Sequence, residues 1–234
     1  MRARHPSLVL AVAAAGLIAL AGCSAVLPAA SNVGATSAAA TPASSPTAAP
    51  PAVVAMGDSI MSGYHLDSGQ DWPTLLAADR DDTVLNVACS GAGFVAVGDC
   101  GTDFAGLIPE AVKGHPDFVI VQGSDNDQGQ SAAALDAATS ATIAELHRRL
   151  PDARIVGLST LWNQASAAPA EIADSSAAVH RAVTDIGGIY LDIGQPLQNR
   201  PDLLQPDHEH PTAEGQKVLL LTVEKALDDA GVGI

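Results

Sequence analysis

The sequence predicts a three-layer α/β/α sandwich around a central, five-stranded parallel sheet. Five short apolar runs recur along residues 52–234, and each is nearly continuous in hydrophobic residues. Continuous runs of this kind are typical of strands that are buried on both faces. Segments with helical character lie between the runs, and an alternation of strands and helices is typical of a parallel sheet covered on both sides.

The predicted strands follow from the composition of these runs. Short segments rich in Val, Ile, Leu and Ala, bounded by Gly, Asp or Ser, are typical of buried strands. In chain order the predicted strands are residues 52–57, 83–88, 117–123, 153–159 and 188–193.

Four longer segments predict helices. Residues 71–80 follow the first strand, with Asp71 as the predicted N-cap, and residues 131–150 begin at a serine and end before Pro151. Residues 168–188 end at two glycines, and residues 212–231 close the chain. In a sheet of this type, ligands bind at the carboxyl ends of the strands.

The first 22 residues have the pattern of an export signal. Arg2 and Arg4 precede an uncharged apolar run, and the run ends in Leu-Ala-Gly-Cys at Cys23. This ending resembles a bacterial lipobox, which implies that Cys23 is lipidated. A single membrane-spanning helix is the alternative, but the run is short for one and Gly16 interrupts it. We expect export and anchoring to the outer face of the cell membrane, or secretion if Cys23 is not lipidated.

Residues 23–51 are predicted to be a tether. Beyond Cys23 they are almost only Ala, Ser, Thr, Pro and Gly, with no charged or aromatic residue. Such a composition buries too little apolar surface to offset the entropy of ordering the chain. As a coil, the segment would hold the folded part roughly 30 Å from its anchor. Residues 52–234 are then long enough for one domain with its own core.

The charge of the chain excludes several classes of partner. It has 26 acidic and 11 basic residues, a net charge of −15, and only 3% aromatic residues. An acidic protein with few aromatic side chains is poorly suited to nucleic acids or anionic lipid surfaces. We expect no nucleic-acid partner, membrane contact only through the anchor on Cys23, and a monomer.

Two cysteines remain in the predicted domain. Cys89 and Cys100 lie 11 residues apart, and in an exported domain they most simply form one disulfide. Closing so short a loop would stabilise the fold by about 2–3 kcal/mol in the chain-entropy model. Two buried free thiols are the alternative.

Polar residues follow the predicted strands where a ligand would bind. Ser59 comes just after the first strand in Gly-Asp-Ser, Gly91 follows the second, and Asn126 follows the third. The last loop carries Asp207 and His210. A lone serine in such a position is most often a helix N-cap. The Gly-x-Ser-x-Gly motif, which places a serine on a sharp strand-to-helix turn, is absent from the sequence.

Together these motifs resemble the SGNH, or GDSL-type, hydrolases, whose fold is flavodoxin-like. The resemblance covers essentially all of residues 52–234. It implies that Ser59 is the nucleophile and that Asp207 and His210 complete a catalytic triad. It also implies an oxyanion hole formed by Ser59, Gly91 and Asn126. The chemistry agrees, because a serine hydroxyl needs a base, the base needs an orienting carboxylate, and the tetrahedral intermediate needs hydrogen-bond donors.

One residue departs from the family pattern. Ser124 stands two residues before Asn126, where the family has glycine. If the backbone needs a positive φ at this position, Ser124 would be strained and Asn126 would be tilted.

A metal site is the competing interpretation of the last loop. Asp207, His208 and His210 could ligate a zinc ion, but zinc would need a further ligand and the sequence suggests none. The resemblance therefore implies an enzyme without a metal or other cofactor. His208 is then a neighbour on the loop that could line the cleft.

The resemblance predicts a serine esterase that acts on a small acyl ester, with an O-acetyl group on a glycan as one candidate. The alternative is a binding or scaffolding lipoprotein that keeps the fold without turnover. Acyl length and the alcohol of the substrate depend on the shape of the pocket, on which the sequence is silent.

Overall fold

The structure, a computed structural model, describes residues 52–234. The predicted signal peptide, the lipidation site at Cys23 and the tether lie outside the described residues. Within residues 52–234, no helix has the length and apolar character needed to cross a membrane.

The sheet has five parallel strands in the order β2-β1-β3-β4-β5. The strands are β1 (Ala52–Met56), β2 (Thr83–Asn86), β3 (Phe118–Gln122), β4 (Arg154–Leu158) and β5 (Ile189–Leu191). The predicted fold class is therefore confirmed, and each strand lies inside the run that predicted it. β1 is the second strand in this order, and its neighbours β2 and β3 lie on opposite sides of it. The crevice at the end of β1 is where such sheets bind ligands.

The four predicted helices are present with small changes at their ends. They are α2 (Trp72–Arg80), α4 (Ala132–Arg149), α5 (Ala170–Asp185) and α6 (Ala213–Asp229). Asp71 caps α2 as predicted, because its side chain accepts a hydrogen bond from the Thr74 amide at 3.0 Å. Ser131 caps α4 in the same way.

Two short helices were not predicted from the sequence. They are α1 (Ser59–Ser62) and α3 (Ile108–Lys113), and short 3₁₀ turns lie at Phe104–Leu107, Asp125–Asp127 and Pro201–Leu203. A helix of four residues has too little periodicity to be recognised, and it forms here because its two ends are capped.

The helices cover both faces of the sheet. α3, α4 and α5 pack on one face, against alternate strand residues that include Val54, Val119 and Ile155. α1, α2 and α6 pack on the other face, against the intervening residues such as Val53 and Ile120. Successive strand residues point to opposite faces, so a strand that is apolar throughout serves both cores.

Candidate active site

Ser59 lies where β1 turns into a helix. β1 ends at Met56, and Asp58 then caps α1 by accepting a hydrogen bond from the Ile60 amide at 2.9 Å. Gly63 ends the helix with a φ of 70°, a conformation that glycine adopts without strain. Ser59 is the first residue of this short helix and is buried. Its amide therefore has no carbonyl of its own helix to donate to.

The chain beyond β2 brings a second backbone amide to the same place. The Cys89 amide donates to the Gly57 carbonyl at 2.9 Å, which holds this chain alongside the end of β1. Gly91 follows with a φ of +76°, which favours glycine. Among residues 52–234, the Gly91 amide has no hydrogen-bond acceptor in the protein. It is therefore free to donate to a ligand.

The predicted disulfide joins Cys89 and Cys100. A backbone hydrogen bond of 2.8 Å from the Asp99 amide to the Ser90 carbonyl lies inside the loop that it closes. The disulfide and this hydrogen bond each join a residue just before Gly91 to a residue at the end of the loop. The turn at Gly91 is therefore fixed both covalently and by hydrogen bonding.

A buried carboxylate fixes the next part of this loop. Asp127 is 2% exposed, and its two oxygens accept hydrogen bonds of 2.8–2.9 Å from the amides of Phe94, Val95 and Ala96. Gly93 lies so close to this carboxylate that a Cβ atom there would overlap it. Asp127 therefore organises the loop backbone rather than facing the cleft.

Asp207 and His210 lie on the loop before α6. The Asp207 carboxylate accepts hydrogen bonds from the amides of Glu209 and His210, both at 3.0 Å. Burial tends to raise the pKa of Asp207, but the hydrogen bonds from Glu209 and His210 outweigh it and lower the pKa. The side chain therefore remains an anion and a hydrogen-bond acceptor at neutral pH.

His210 bridges this carboxylate and Ser59. Its Nδ1 atom lies 2.8 Å from Asp207 Oδ2, and its Nε2 atom lies 3.0 Å from Ser59 Oγ. The ring of Tyr64 packs at 4.5 Å from the imidazole ring. Both ring nitrogens thus have partners. A histidine held in this way can take a proton from a serine while the carboxylate stabilises the resulting imidazolium.

The three predicted oxyanion-hole residues are brought together. Ser59, Gly91 and Asn126 line one cavity of about 190 Å³, which His210 also lines. The Asn126 side chain donates from Nδ2 to Ser124 Oγ at 2.9 Å and to the Ala92 carbonyl at 3.2 Å. Ser124 has a φ of −116°, so the positive φ that would have strained this residue is not required.

Four further residues of this cavity were not singled out by the sequence. They are Tyr64, Ser90, Asp99 and Glu209. No periodic signal marks them, because each comes from a loop or a helix end. Glu209 lies between the two histidines of the last loop, and Asp99 lies inside the disulfide loop, so proximity to a recognised motif is the one clue that the sequence offers.

Two buried acidic residues, Asp58 and Asp125, directly precede Ser59 and Asn126 in the chain. Asp125 is 7% exposed, and burial together with the charges of Asp58 and Glu209 raises its pKa to about 8. Burial also raises the pKa of Asp58, opposed by hydrogen bonds from Ser124 and Ile60. Both shifts disfavour negative charge on these two buried carboxyl groups.

His208 lies apart from this cavity. It has a φ of +61° and lines a separate cavity of about 100 Å³, together with Asn163 and Arg200. In the described part of the chain, no three His, Cys, Asp or Glu side chains form a group that could hold a metal ion. Trp162 is buried, donates to the Ser166 carbonyl and is absent from the lining of the cavity at Ser59, so it serves as core packing.

A larger cavity lies elsewhere. It has a volume of about 780 Å³ and is lined by residues of α5, of β5 and of the adjoining loops, among them His180 and Tyr190. Ser59 and His210 do not reach it. The smaller cavity is the candidate active site, because in it Ser59 lies within hydrogen-bonding distance of His210 and beside the Gly91 amide, which is unpaired within residues 52–234.

The sequence matches a family model over residues 55–218, and the model is that of the GDSL-like lipase/acylhydrolase family. The chain belongs to the GDSL-like lipase/acylhydrolase family. Membership makes the protein a carboxylic-ester hydrolase, and the predicted resemblance to SGNH hydrolases is confirmed. No curated protein is similar enough in sequence to be matched to this chain.

Solved structures share the fold at low sequence identity. The crystal structure of TesA superposes with a TM-score of 0.62 at 21% identity, covering 76% of this chain and 98% of that chain. A psychrotrophic esterase, EstA from Pseudoalteromonas sp., inhibited by monoethylphosphonate, has a TM-score of 0.62 at 15% identity, with 76% and 97% covered. A carbohydrate esterase family 2 enzyme from Corynascus thermopiles has a TM-score of 0.59 at 22% identity, with 79% and 69% covered.

Proposed function

We propose that the protein is a serine esterase that hydrolyses small acyl esters through Ser59, His210 and Asp207. One observation carries the proposal: Ser59 Oγ lies 3.0 Å from His210 Nε2, while His210 Nδ1 lies 2.8 Å from Asp207 Oδ2. These are hydrogen-bonding distances between a nucleophile, a base and an orienting carboxylate.

In the proposed mechanism, Ser59 Oγ attacks the carbonyl carbon of the ester and its proton passes to His210 Nε2. The negative charge on the carbonyl oxygen is stabilised by the amides of Ser59 and Gly91 and by the Asn126 side chain. The intermediate collapses, His210 gives its proton to the leaving alcohol, and the acyl group stays on Ser59. Water then attacks this acyl-enzyme, with His210 again as base, which releases the carboxylic acid and restores the serine.

The site favours a short acyl group and a polar alcohol. Its cavity of about 190 Å³ is smaller than the roughly 300–1,000 Å³ typical of pockets for drug-sized ligands. Six of its lining residues are polar or charged besides Ser59 and Gly91, namely Tyr64, Ser90, Asp99, Asn126, Glu209 and His210. A long alkyl chain would gain little from such walls. An O-acetyl group on a glycan is the substrate class that we propose, and the likeness to a carbohydrate esterase supports it.

A chromogenic ester series tests this proposal. The full-length protein should hydrolyse p-nitrophenyl acetate with a higher kcat/KM than the butyrate ester, and the octanoate ester should be poorest. Ser59→Ala should abolish turnover without lowering the melting temperature, and an alkylphosphonate should label Ser59 in the wild type. A folded wild-type protein that neither turns over these esters nor reacts with the phosphonate would favour the binding-protein alternative.

We also propose export and a lipid anchor on Cys23. The proposal rests on Arg2, Arg4 and the apolar run before Cys23, and a disulfide in the folded part is consistent with an oxidising compartment. Cys23→Ala should move the protein from the membrane fraction to the soluble fraction of expressing bacteria. Equal membrane retention of both forms would contradict an anchor at this residue.

A further inference from the structure

Ser124 replaces the glycine of the family pattern, and its hydroxyl makes three hydrogen bonds. It is 1% exposed. Its hydroxyl donates to Asp58 Oδ2 at 2.7 Å, and its oxygen accepts from the Asn126 amide at 3.1 Å and from Asn126 Nδ2 at 2.9 Å. A hydroxyl has one hydrogen and two lone pairs, so its hydrogen-bonding capacity is fully used.

We propose that Ser124 is a positioning residue that sets the orientation of the Asn126 carboxamide in the oxyanion hole. The inference rests on the proposed function, because it concerns a donor to the same transition state. It is particular to this chain, since a glycine has no hydroxyl to supply.

The direction of each hydrogen bond fixes which edge of Asn126 faces Ser124. Asp58 accepts from Ser124 at one oxygen and from the Ile60 amide at the other. The one hydroxyl hydrogen of Ser124 is therefore committed to Asp58, and its oxygen can only accept from Asn126. The NH₂ edge of the carboxamide must face Ser124.

The alternative orientation would be harmful to catalysis. The terminal torsion of an asparagine side chain has a broad energy profile, so an unrestrained carboxamide can turn over. If the carboxamide of Asn126 turned over, its carbonyl oxygen would face Ser124 in place of the NH₂ group. The hydrogen-bond donors that Asn126 offers to a substrate would then change. In the observed orientation, the second Nδ2 hydrogen faces the Ala92 carbonyl at 3.2 Å, at the long end of the hydrogen-bond range. This weakly held hydrogen is the one available to a developing oxyanion.

Asp58 links this arrangement to the nucleophile. Asp58 precedes Ser59 and caps the helix that Ser59 begins. Ser124 is thus hydrogen-bonded both to the Asn126 side chain and to Asp58, the residue that caps the helix of Ser59. Preorganised donors of this kind stabilise the transition state without reorganising during the reaction.

The decisive experiment is a double-mutant cycle. Ser124→Ala should lower kcat for p-nitrophenyl acetate about 10- to 100-fold with KM changed less than about twofold, because losing one oxyanion donor outright costs about 100- to 1,000-fold. Ser124→Thr, which keeps the hydroxyl, should retain more of kcat. In an Asn126→Ala background, Ser124→Ala should cost less than about twofold, because the residue through which it acts is gone.

Ser159→Ala is the matched control. Ser159 is also buried, lies at the end of the neighbouring strand β4 and accepts a hydrogen bond from the Ile193 amide at 3.0 Å, but it does not line the cavity of Ser59. Its removal should leave kcat within about twofold of the wild type. A similar fall in kcat for both serine variants would mean that a buried hydroxyl matters only for packing, and would overturn the inference.

Phosphonylation provides a readout that is independent of the native ester. A monoalkylphosphonate probe should label Ser59 more slowly in Ser124→Ala than in the wild type, by a factor similar to that in kcat. A wild type that neither hydrolyses esters nor takes up the probe refutes the proposed function. Two other outcomes would refute the role of Ser124 while leaving the proposed function intact. In the first, the wild type reacts and Ser124→Ala reacts equally fast. In the second, Ser124→Ala slows the reaction by the same factor whether Asn126 is present or replaced by alanine.

Folding is checked separately. Ser124→Gly removes the same hydroxyl and matches the family pattern, so it replaces Ser124→Ala if the latter does not fold. If neither folds, the wild type still provides a test by nuclear magnetic resonance. The Asn126 side-chain NH₂ hydrogens should then exchange with solvent more slowly than those of an exposed asparagine, and equal exchange would refute the inference.

Discussion

The two sides of the active-site cleft are held by different means. On the side of Gly91 and Asn126, a disulfide and the buried carboxylate of Asp127 fix the loop backbone. On the side of His210, hydrogen bonds within one loop hold the histidine in place, and the Asp207 side chain is 39% exposed. The difference follows from what each side supplies. Backbone donors must be immobile before the reaction, whereas a base needs one well-oriented partner.

The largest expected effect is on the exposed side. His210→Ala should reduce kcat/KM about 1,000-fold or more, since the serine loses its base. His208→Ala should change kcat/KM by less than about threefold, because His208 lines another cavity. Ester hydrolysis measured for both variants, with and without a chelator, separates the triad from a metal site. Inactivation by the chelator with recovery on adding zinc would contradict the triad.

A pair of carboxylate substitutions tests the comparison directly. Asp207→Asn should lower kcat about 100- to 1,000-fold and change stability little, because it disturbs the orientation of His210 on an exposed loop. Asp127→Asn should destabilise the fold by about 2–4 kcal/mol, because an acceptor for buried amides becomes a donor. Paired kcat and urea-unfolding measurements check both. If the two variants show the same pattern, the two sides of the cleft are not held differently.

Removing the disulfide should have a smaller effect. A Cys89→Ala/Cys100→Ala double variant should lose about 2–3 kcal/mol of unfolding free energy, because the unfolded chain regains the freedom of the closed loop. Its kcat should fall while KM for p-nitrophenyl acetate changes little, because the turn at Gly91 is loosened. Denaturant unfolding and steady-state kinetics measure the two effects. A variant as stable and as active as the wild type would show that hydrogen bonds alone fix this loop.

The smallest effect concerns pH and Asp125. Its pKa is raised to about 8 in the folded state, by burial and by the charges of Asp58 and Glu209. Between its ordinary pKa and this value, the folded protein holds a proton that the unfolded chain releases, so the contribution of Asp125 to stability falls as pH rises through this window. Asp125→Asn should therefore stabilise the protein by at least about 1 kcal/mol at pH 8, and by much less at pH 4.

The exposed Asp152 provides the control for this measurement. Asp152→Asn should give the same change in melting temperature at both pH values. The stability difference between Asp125→Asn and the wild type should grow as pH rises. A constant difference would contradict a raised pKa of Asp125.

The fold could be predicted because its strands are buried on both faces. β3 and β4 each differ from the predicted range by one residue at either end, since a continuous apolar run leaves little doubt about its limits. β2 ends earlier than predicted, at Asn86. The Asn86 side chain bonds the Ala88 amide and the Met61 carbonyl, and a contact with a residue 25 positions away is invisible in the local sequence.

The residues of the proposed triad could also be named from short motifs, but the residues that hold the candidate site in place could not. Ser59, Asp207 and His210 stand in recognisable local patterns. Asp127 accepts hydrogen bonds from amides more than 30 residues away along the chain. Ser124 donates to Asp58, which is 66 residues away along the chain. Tyr64, Asp99 and Glu209 line the cavity from irregular segments, where neither periodicity nor capping marks a residue.

The separation of Ser59 and His210 along the chain has a consequence for biosynthesis. The two residues are 151 positions apart, and α6 begins just after His210. Gln216 of α6 accepts from the Trp72 amide at 3.0 Å and donates to the Ile60 carbonyl at 2.8 Å, so the last helix is fastened to the helix of the nucleophile. A chain that ends before this helix lacks the hydrogen bond from Gln216 that holds the segment after His210 against the helix of Ser59. Esterase activity therefore requires synthesis of the chain through α6, and a colour assay of ester hydrolysis would detect molecules in which this helix has been made and has folded.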